Sequence, residues 1–99
     1  MRSSFHLTKF SVLLSQTAVS QLSLLNSKQK KRIKDALLNL EENPFRKRSG
    51  VDIKKLVTPD EPPLFRLRIG DYRAIYFVLE NEIRVTEIIH RSKGYKWLE

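Results

Sequence analysis

Arg66, Arg68 and Arg73 fall within one thirteen-residue run, LFRLRIGDYRAIY from Leu64 to Tyr76, whose spacing predicts a tight β-hairpin. Arg66 and Arg68 alternate with Phe65, Leu67 and Ile69, so in a strand the two arginines share one face and the apolar side chains the other. With Gly70-Asp71 as a two-residue loop, glycine first as a type II′ turn prefers, Arg68 falls opposite Arg73 and Arg66 opposite Ile75. Like charges facing each other across a sheet cost about 0.2–1 kcal/mol per pair, so the fold gains nothing from them unless a carboxylate intervenes. A guanidinium is a planar fork suited to phosphate. The expected ligand is an anion; the plainer alternative is a set of solvated arginines on the open face of a one-sided sheet.

Other groups lie near this hairpin in sequence. The last strand ends Ile88-Ile89-His90-Arg91, with Tyr95 and Trp97 following. A two-residue Asn81-Glu82 loop would place His90 across from Arg73, whereas a three-residue loop would shift the register and turn His90 to the other face. His90 is alternatively a hydrogen-bonded packing residue, and Tyr95 and Trp97 can cap a core with a wet polar tip. Lys54 and Lys55 are adjacent and face opposite ways, so at most one joins the arginines. Arginines, a tyrosine and a histidine, without a serine triad or a carboxylate pair, suit phosphodiester transesterification in RNA. There the 2′-OH of the substrate is the nucleophile, and the protein orients it, accepts its proton and stabilises the phosphorane. Arginine stays protonated at neutral pH, so Tyr95 or His90 would be the base.

The bulk numbers agree with a polyanionic or acidic partner. Ninety-nine residues, 40% hydrophobic and 9% aromatic, fit one small domain. The formal net charge is +8, and residues 1–44 and 45–99 each contribute +4, so the charge is not a detachable tail. Cysteine is absent, and His6 and His90 are far apart, which argues against a metal cofactor. From Phe10 to Leu25 the longest aliphatic run is Val12-Leu13-Leu14, too short for a membrane span. A cytoplasmic protein with no membrane partner and no cofactor is expected.

The elements that must position the arginines follow from periodicity. Residues 1–8 have no period and are expected to be a flexible arm, leaving 9–99 as the single domain. Phe10, Val12 and Leu14 alternate with Ser11, Leu13 and Ser15 in a first strand of about seven residues. Ser15 or Thr17 can cap a short helix carrying Val19, Leu22 and Leu25, broken at Asn26-Ser27. Ile33, Ala36, Leu37 and Leu40 mark a second helix that stops before Pro44. Its first turns hold Lys28, Lys30, Lys31, Arg32 and Lys34, a solvated or phosphate-docking face. A basic loop with Arg46-Lys47-Arg48 leads to a strand at about Ile53–Val57, and three prolines between Thr58 and Pro63 make a turn. Strands up to Leu79 and from Ile83 to Ile89 follow, then a helical turn at about Lys93–Leu98. The fold class is α+β: an N-terminal strand and a helical hairpin packed on one face of a mostly antiparallel sheet with a C-terminal meander.

From about Lys9 to Leu98 the chain resembles the RelE/ParE superfamily of small toxins from toxin–antitoxin pairs. The resemblance rests on Lys55-Leu56, the Leu64–Tyr76 run, and His90-Arg91 with Tyr95 four residues after the arginine. It implies a ribonuclease toxin that cleaves mRNA in the ribosomal A site without metal, and a cognate antitoxin that covers the basic groove or displaces the C-terminal element. By position, Arg66, Arg68 and Arg73 would stabilise phosphate, Arg91 would be a further cation or proton donor, and Tyr95 the base or a stacking platform. Lys54, Lys55, His90, Lys93, Arg46 and Lys47 would contact RNA. Arg66 and Arg68 stand where the best-characterised RelE enzymes carry lysine, so a base role of lysine does not transfer. Relatives of the ParE type act on DNA gyrase instead, and others lack catalysis. On this reading, replacing Arg68 or Arg73 by alanine abolishes toxicity and leaves the domain folded.

Overall fold

The computed structural model describes residues 9–93. The expected arm, Tyr95, Trp97 and all but the first residue of the expected C-terminal helical turn lie outside them. The order is β1 (Ser11–Leu14), α1 (Gln16–Ser23), α2 (Ser27–Leu38), β2 (Asp52–Lys55), β3 (Phe65–Ile69), β4 (Tyr72–Leu79) and β5 (Glu82–His90). Short 3-10 turns occupy Asn39–Glu41 and Arg91–Lys93. The five strands form one sheet in the order β1-β5-β4-β3-β2, with β1 parallel to β5 and the other pairs antiparallel. The α+β class expected from periodicity is the class observed.

Both helices pack on one face of the sheet, α1 against β5 and α2 against β3. The main core lies between: Ala18, Leu22, Ile33 and Leu37 from the helices meet Ile53, Leu67, Ile69, Ala74, Ile83, Val85 and Ile88 from the strands. Phe65, Leu67 and Ile69 are all buried there, as their alternation requires. An aromatic row closes one end, Phe45 edge-on to Phe10 and Phe65, and Phe65 stacked on Tyr76 at 5.6 Å.

The first strand is four residues rather than about seven because Ser15 ends it. Its Oγ accepts from the Ala18 amide at 3.0 Å, starting α1, and donates to the Thr86 carbonyl at 2.8 Å. That cap sets the helix phase so that Ala18 and Leu22 enter the core, while Val19 remains 50% exposed. Asn26 does more than break the chain: its side chain accepts from the Gln29 amide and caps α2. At the other end of α2, the Arg48 guanidinium donates to the carbonyl of the cap residue Asn39 and to that of Asn43 in the following loop.

Candidate nucleic-acid interface

The sheet face away from the helices carries the arginines. The hairpin register is as the spacing predicts: Arg68 opposite Arg73 and Arg66 opposite Ile75, across the Gly70-Asp71 turn. Only Gly70 of that turn has positive φ, at 59°, which fits type II′. A Cβ on Gly70 would also stand 2.7 Å from the exposed Arg32 guanidinium of α2, which would have to move aside. β2 extends the pattern, with Asp52 opposite Arg68 and Lys54 opposite Arg66. Two cross-strand rows result: Asp52-Arg68-Arg73-Ile89, and Lys54-Arg66-Ile75-Glu87. Beneath them Leu56, Ile75 and Ile89 make a second, small apolar cluster with Leu64 packed on it.

The three arginines differ in what they offer a ligand. Arg68 is exposed, and among the described residues its side chain has no partner. Arg66 is 6% exposed and reaches Asp52, whose Oδ1 and main-chain oxygen each lie 3.3 Å from Arg66 Nη1. Arg73 is 1% exposed, and its Nη1 donates to the carbonyls of Gly70 at 2.8 Å and Tyr72 at 3.0 Å. Arg73 thus braces the turn that carries it. Alternation alone could not separate the exposed guanidinium from the two buried ones.

The remaining candidates divide. Lys54 joins the arginine rows, whereas Lys55 pairs in register with Phe65 on the helix side and is corrected away from them. Lys47 approaches, its Nζ 3.8 Å from Asp52 Oδ1, while Arg46 is exposed on the same loop. Arg91 follows β5 directly and is held at the arginine turn, its amide donating to the Asp71 carbonyl at 2.8 Å and its Nε 3.5 Å from Asp71 Oδ1. Lys93 is exposed two residues on. Tyr95 lies outside the described residues.

His90 is displaced from the expected site. It faces Tyr72, not Arg73, and its ring meets the Tyr72 ring edge-on at 5.1 Å on the helix side of the sheet. Its Nδ1 accepts from the Ser92 amide at 3.1 Å, which makes Nε2 the protonated nitrogen of the neutral ring. The cause is a β-bulge. The hairpin loop is Glu80-Asn81, with Glu80 at φ 57°, and by that register alone β5 would keep His90 on the arginine face. Between the Tyr76–Val85 and Ile75–Glu87 pairs, however, β5 gains Thr86 as an extra residue, and every later side chain changes face. Ser15 and Gln21 of the α1 segment bond to β5 here, at the Thr86 carbonyl and the Ile88 amide.

Two contributors were not singled out in the sequence. Asp52 is the carboxylate among the cations, and its spacing from Lys54 was the available signal. Tyr76, within the arginine run, is a core group: its hydroxyl donates to the Pro44 carbonyl at 2.7 Å, and burial raises its pKa far above the ordinary value despite nearby Arg48 and Arg66. It cannot serve as a base. Among the described residues no group of His, Cys, Asp and Glu converges in a metal-binding arrangement, and no helix is long and apolar enough to cross a membrane.

The fold has solved counterparts. The toxin–antitoxin complex of RelE with RelB from Pyrococcus horikoshii contains a chain 28% identical, superposing with a TM-score of 0.71 over 87% of this chain and 99% of that one. The RelB–RelE complex of Methanococcus jannaschii gives 24% identity and 0.67, over 88% and 99%. Isolated RelE from E. coli gives 20% identity and 0.64, over 82% and 83%. No curated protein matches. The model of the ParE toxin of type II toxin–antitoxin systems matches residues 12–95, nearly the whole described sheet and both helices, and the chain therefore belongs to this family of the RelE/ParE superfamily.

Proposed function

We propose that this toxin is a RelE-like endoribonuclease that cleaves mRNA in the ribosomal A site and so inhibits translation. The observation that carries the reading is the arginine pair across the Gly70-Asp71 turn, Arg68 exposed and Arg73 braced beneath, with Lys54, Lys47 and Arg91 around it. A surface of this kind fits a phosphodiester far better than an apolar ligand.

In the proposed step the 2′-oxygen of one nucleotide attacks the adjacent phosphorus, its proton passing to the base. The P–O5′ bond breaks, the 5′-oxygen takes up a proton, and a 2′,3′-cyclic phosphate is left. Arg68 stabilises the additional negative charge on the phosphorane directly, and Arg66 and Arg73 contribute positive charge from below. Arg91 supplies a further cation at the end of the rows. Because His90 is on the other face, we assign the base role to Tyr95. Lys93, Arg46 and Lys47 contact the message or ribosomal RNA. The reaction enlists the substrate's own nucleophile, and we assign it no metal.

The relatives solved as RelE–RelB complexes support a cognate antitoxin as partner, and on this reading it covers the basic groove or displaces the C-terminal element. A second reading, gyrase inhibition by protein binding, is favoured by the family description itself, which is that of ParE. Adding the purified chain to a translating extract and, separately, to a gyrase supercoiling reaction distinguishes them. Message cleavage within codons, lost in Tyr95→Phe, supports the endonuclease; blocked supercoiling with intact messages supports the ParE-type activity.

A further inference from the structure

We propose that Asp52 is a built-in counter-ion of the arginine rows, displaced by a phosphodiester when RNA binds, so that this one carboxylate sets how tightly the site holds RNA. The inference rests on the RNA reading of the face and adds a regulator of its affinity. Asp52 is opposite Arg68 in register, and its Oδ1 lies 3.3 Å from Arg66 Nη1 and 3.8 Å from Lys47 Nζ. The Arg66 side chain is only 8% exposed, whereas that of Asp52 is 36% exposed. The carboxylate is thus the more solvent-facing member of the pair, and it occupies a place beside Arg66 Nη1 that a phosphate oxygen can take.

The contact is of a kind that yields. Both distances are long for charge-assisted hydrogen bonds, and the half-open Asp52 shares its oxygen between two cations. An exposed lysine–carboxylate pair contributes little stability. A phosphate brings more acceptor oxygens to the same donors and can reach Arg68 at once. While Asp52 remains in place, it subtracts one charge from the face; without it, the net positive charge of the face rises by one and can neutralise one more phosphate. Among the described residues, Glu87, in the row of Arg66, and Asp71, paired with Arg91, are the other carboxylates of this face near the arginines.

The test is fluorescence anisotropy of a labelled single-stranded RNA oligonucleotide with the purified chain, titrated at several salt concentrations. Asp52→Asn is expected to bind about three- to tenfold more tightly at 0.1 M salt, with a salt slope steeper by about 0.7, the single-strand value for one further phosphate. Asp52→Ser, smaller and also uncharged, repeats the measurement should the amide be poorly tolerated. A purely structural carboxylate would lower the melting temperature without tightening binding. Unchanged or weaker binding in a variant that melts with the wild type overturns the proposal. Arg68→Ala, measured alongside, separates the two levels. Binding that needs Arg68 and ignores Asp52 sinks this inference alone, and wild-type binding that is absent or indifferent to Arg68 sinks the RNA reading with it.

Discussion

Replacing Arg73 by alanine should unfold the domain more readily, whereas replacing Arg68 should not, although sequence spacing treats the two as an equivalent facing pair. Arg73 is 1% exposed and gives Nη1 to two main-chain carbonyls at 2.8 and 3.0 Å. A hydrogen bond from a charged donor contributes about 1.5–3 kcal/mol net, and one shared nitrogen yields less than two full bonds, so roughly 2–3 kcal/mol is lost there. The buried methylene stem adds about 0.8 kcal/mol per CH₂ removed. Relief of the like-charge contact with Arg68 returns about 0.2–1 kcal/mol. The net is a loss of about 3 kcal/mol, and a domain of this size changes its melting temperature by about 4–8 °C per kcal/mol, so a drop of roughly 12–24 °C is expected. Arg68→Ala, at an exposed position, should stay within about 0.5 kcal/mol of the wild type. Thermal melts followed by circular dichroism read both. An Arg73→Ala chain melting within about 2 °C of the wild type would refute the bracing role. The simple expectation that both alanine variants lose toxicity while remaining folded is thereby kept for Arg68 and revised for Arg73.

Gly70→Ala forces a Cβ onto a residue at φ 59° and should cost about 1–2 kcal/mol, read as a lower urea midpoint. Tyr76→Phe leaves the Pro44 carbonyl without its buried donor and should cost about 1–3 kcal/mol in the same assay. Because the folded Tyr76 phenol holds its proton to higher pH than the unfolded one, its contribution is full below the unfolded value of about 10 and is lost as pH rises above it. The wild type should therefore lose more stability than Tyr76→Phe between pH 9 and pH 11, and parallel losses would contradict the assignment. Ser15→Ala removes the α1 cap and the donor to Thr86, and should lower stability by about 1–2 kcal/mol.

The hairpin was legible because strand alternation has a period of two and a Gly-Asp loop admits few turns, so the register of Arg66, Arg68 and Arg73 followed from spacing alone. The second helix was legible from the Ile33, Leu37 and Leu40 stripe, and β1 from the alternation of Val12 and Leu14. The face of His90 was not, since one inserted residue inverts a strand. A hint existed in Ile83, Val85, Ile88 and Ile89, where the apolar alternation breaks at Thr86-Glu87. The role of Asp52 was hidden for a different reason: it depends on β2 pairing with β3 across the proline-rich turn, a non-local register that no local pattern specifies. Arg73 likewise curls back onto Gly70 and Tyr72, a side-chain choice that alternation does not constrain.

Inducing the wild-type chain and Arg68→Ala in cells without an antitoxin, with primer-extension mapping of the ends of a reporter message, tests the central claim most directly. Ribosome-dependent cuts within translated codons for the wild type, and none for the folded Arg68→Ala chain, are predicted. Growth arrest with intact messages, or cutting that persists without Arg68, would contradict it.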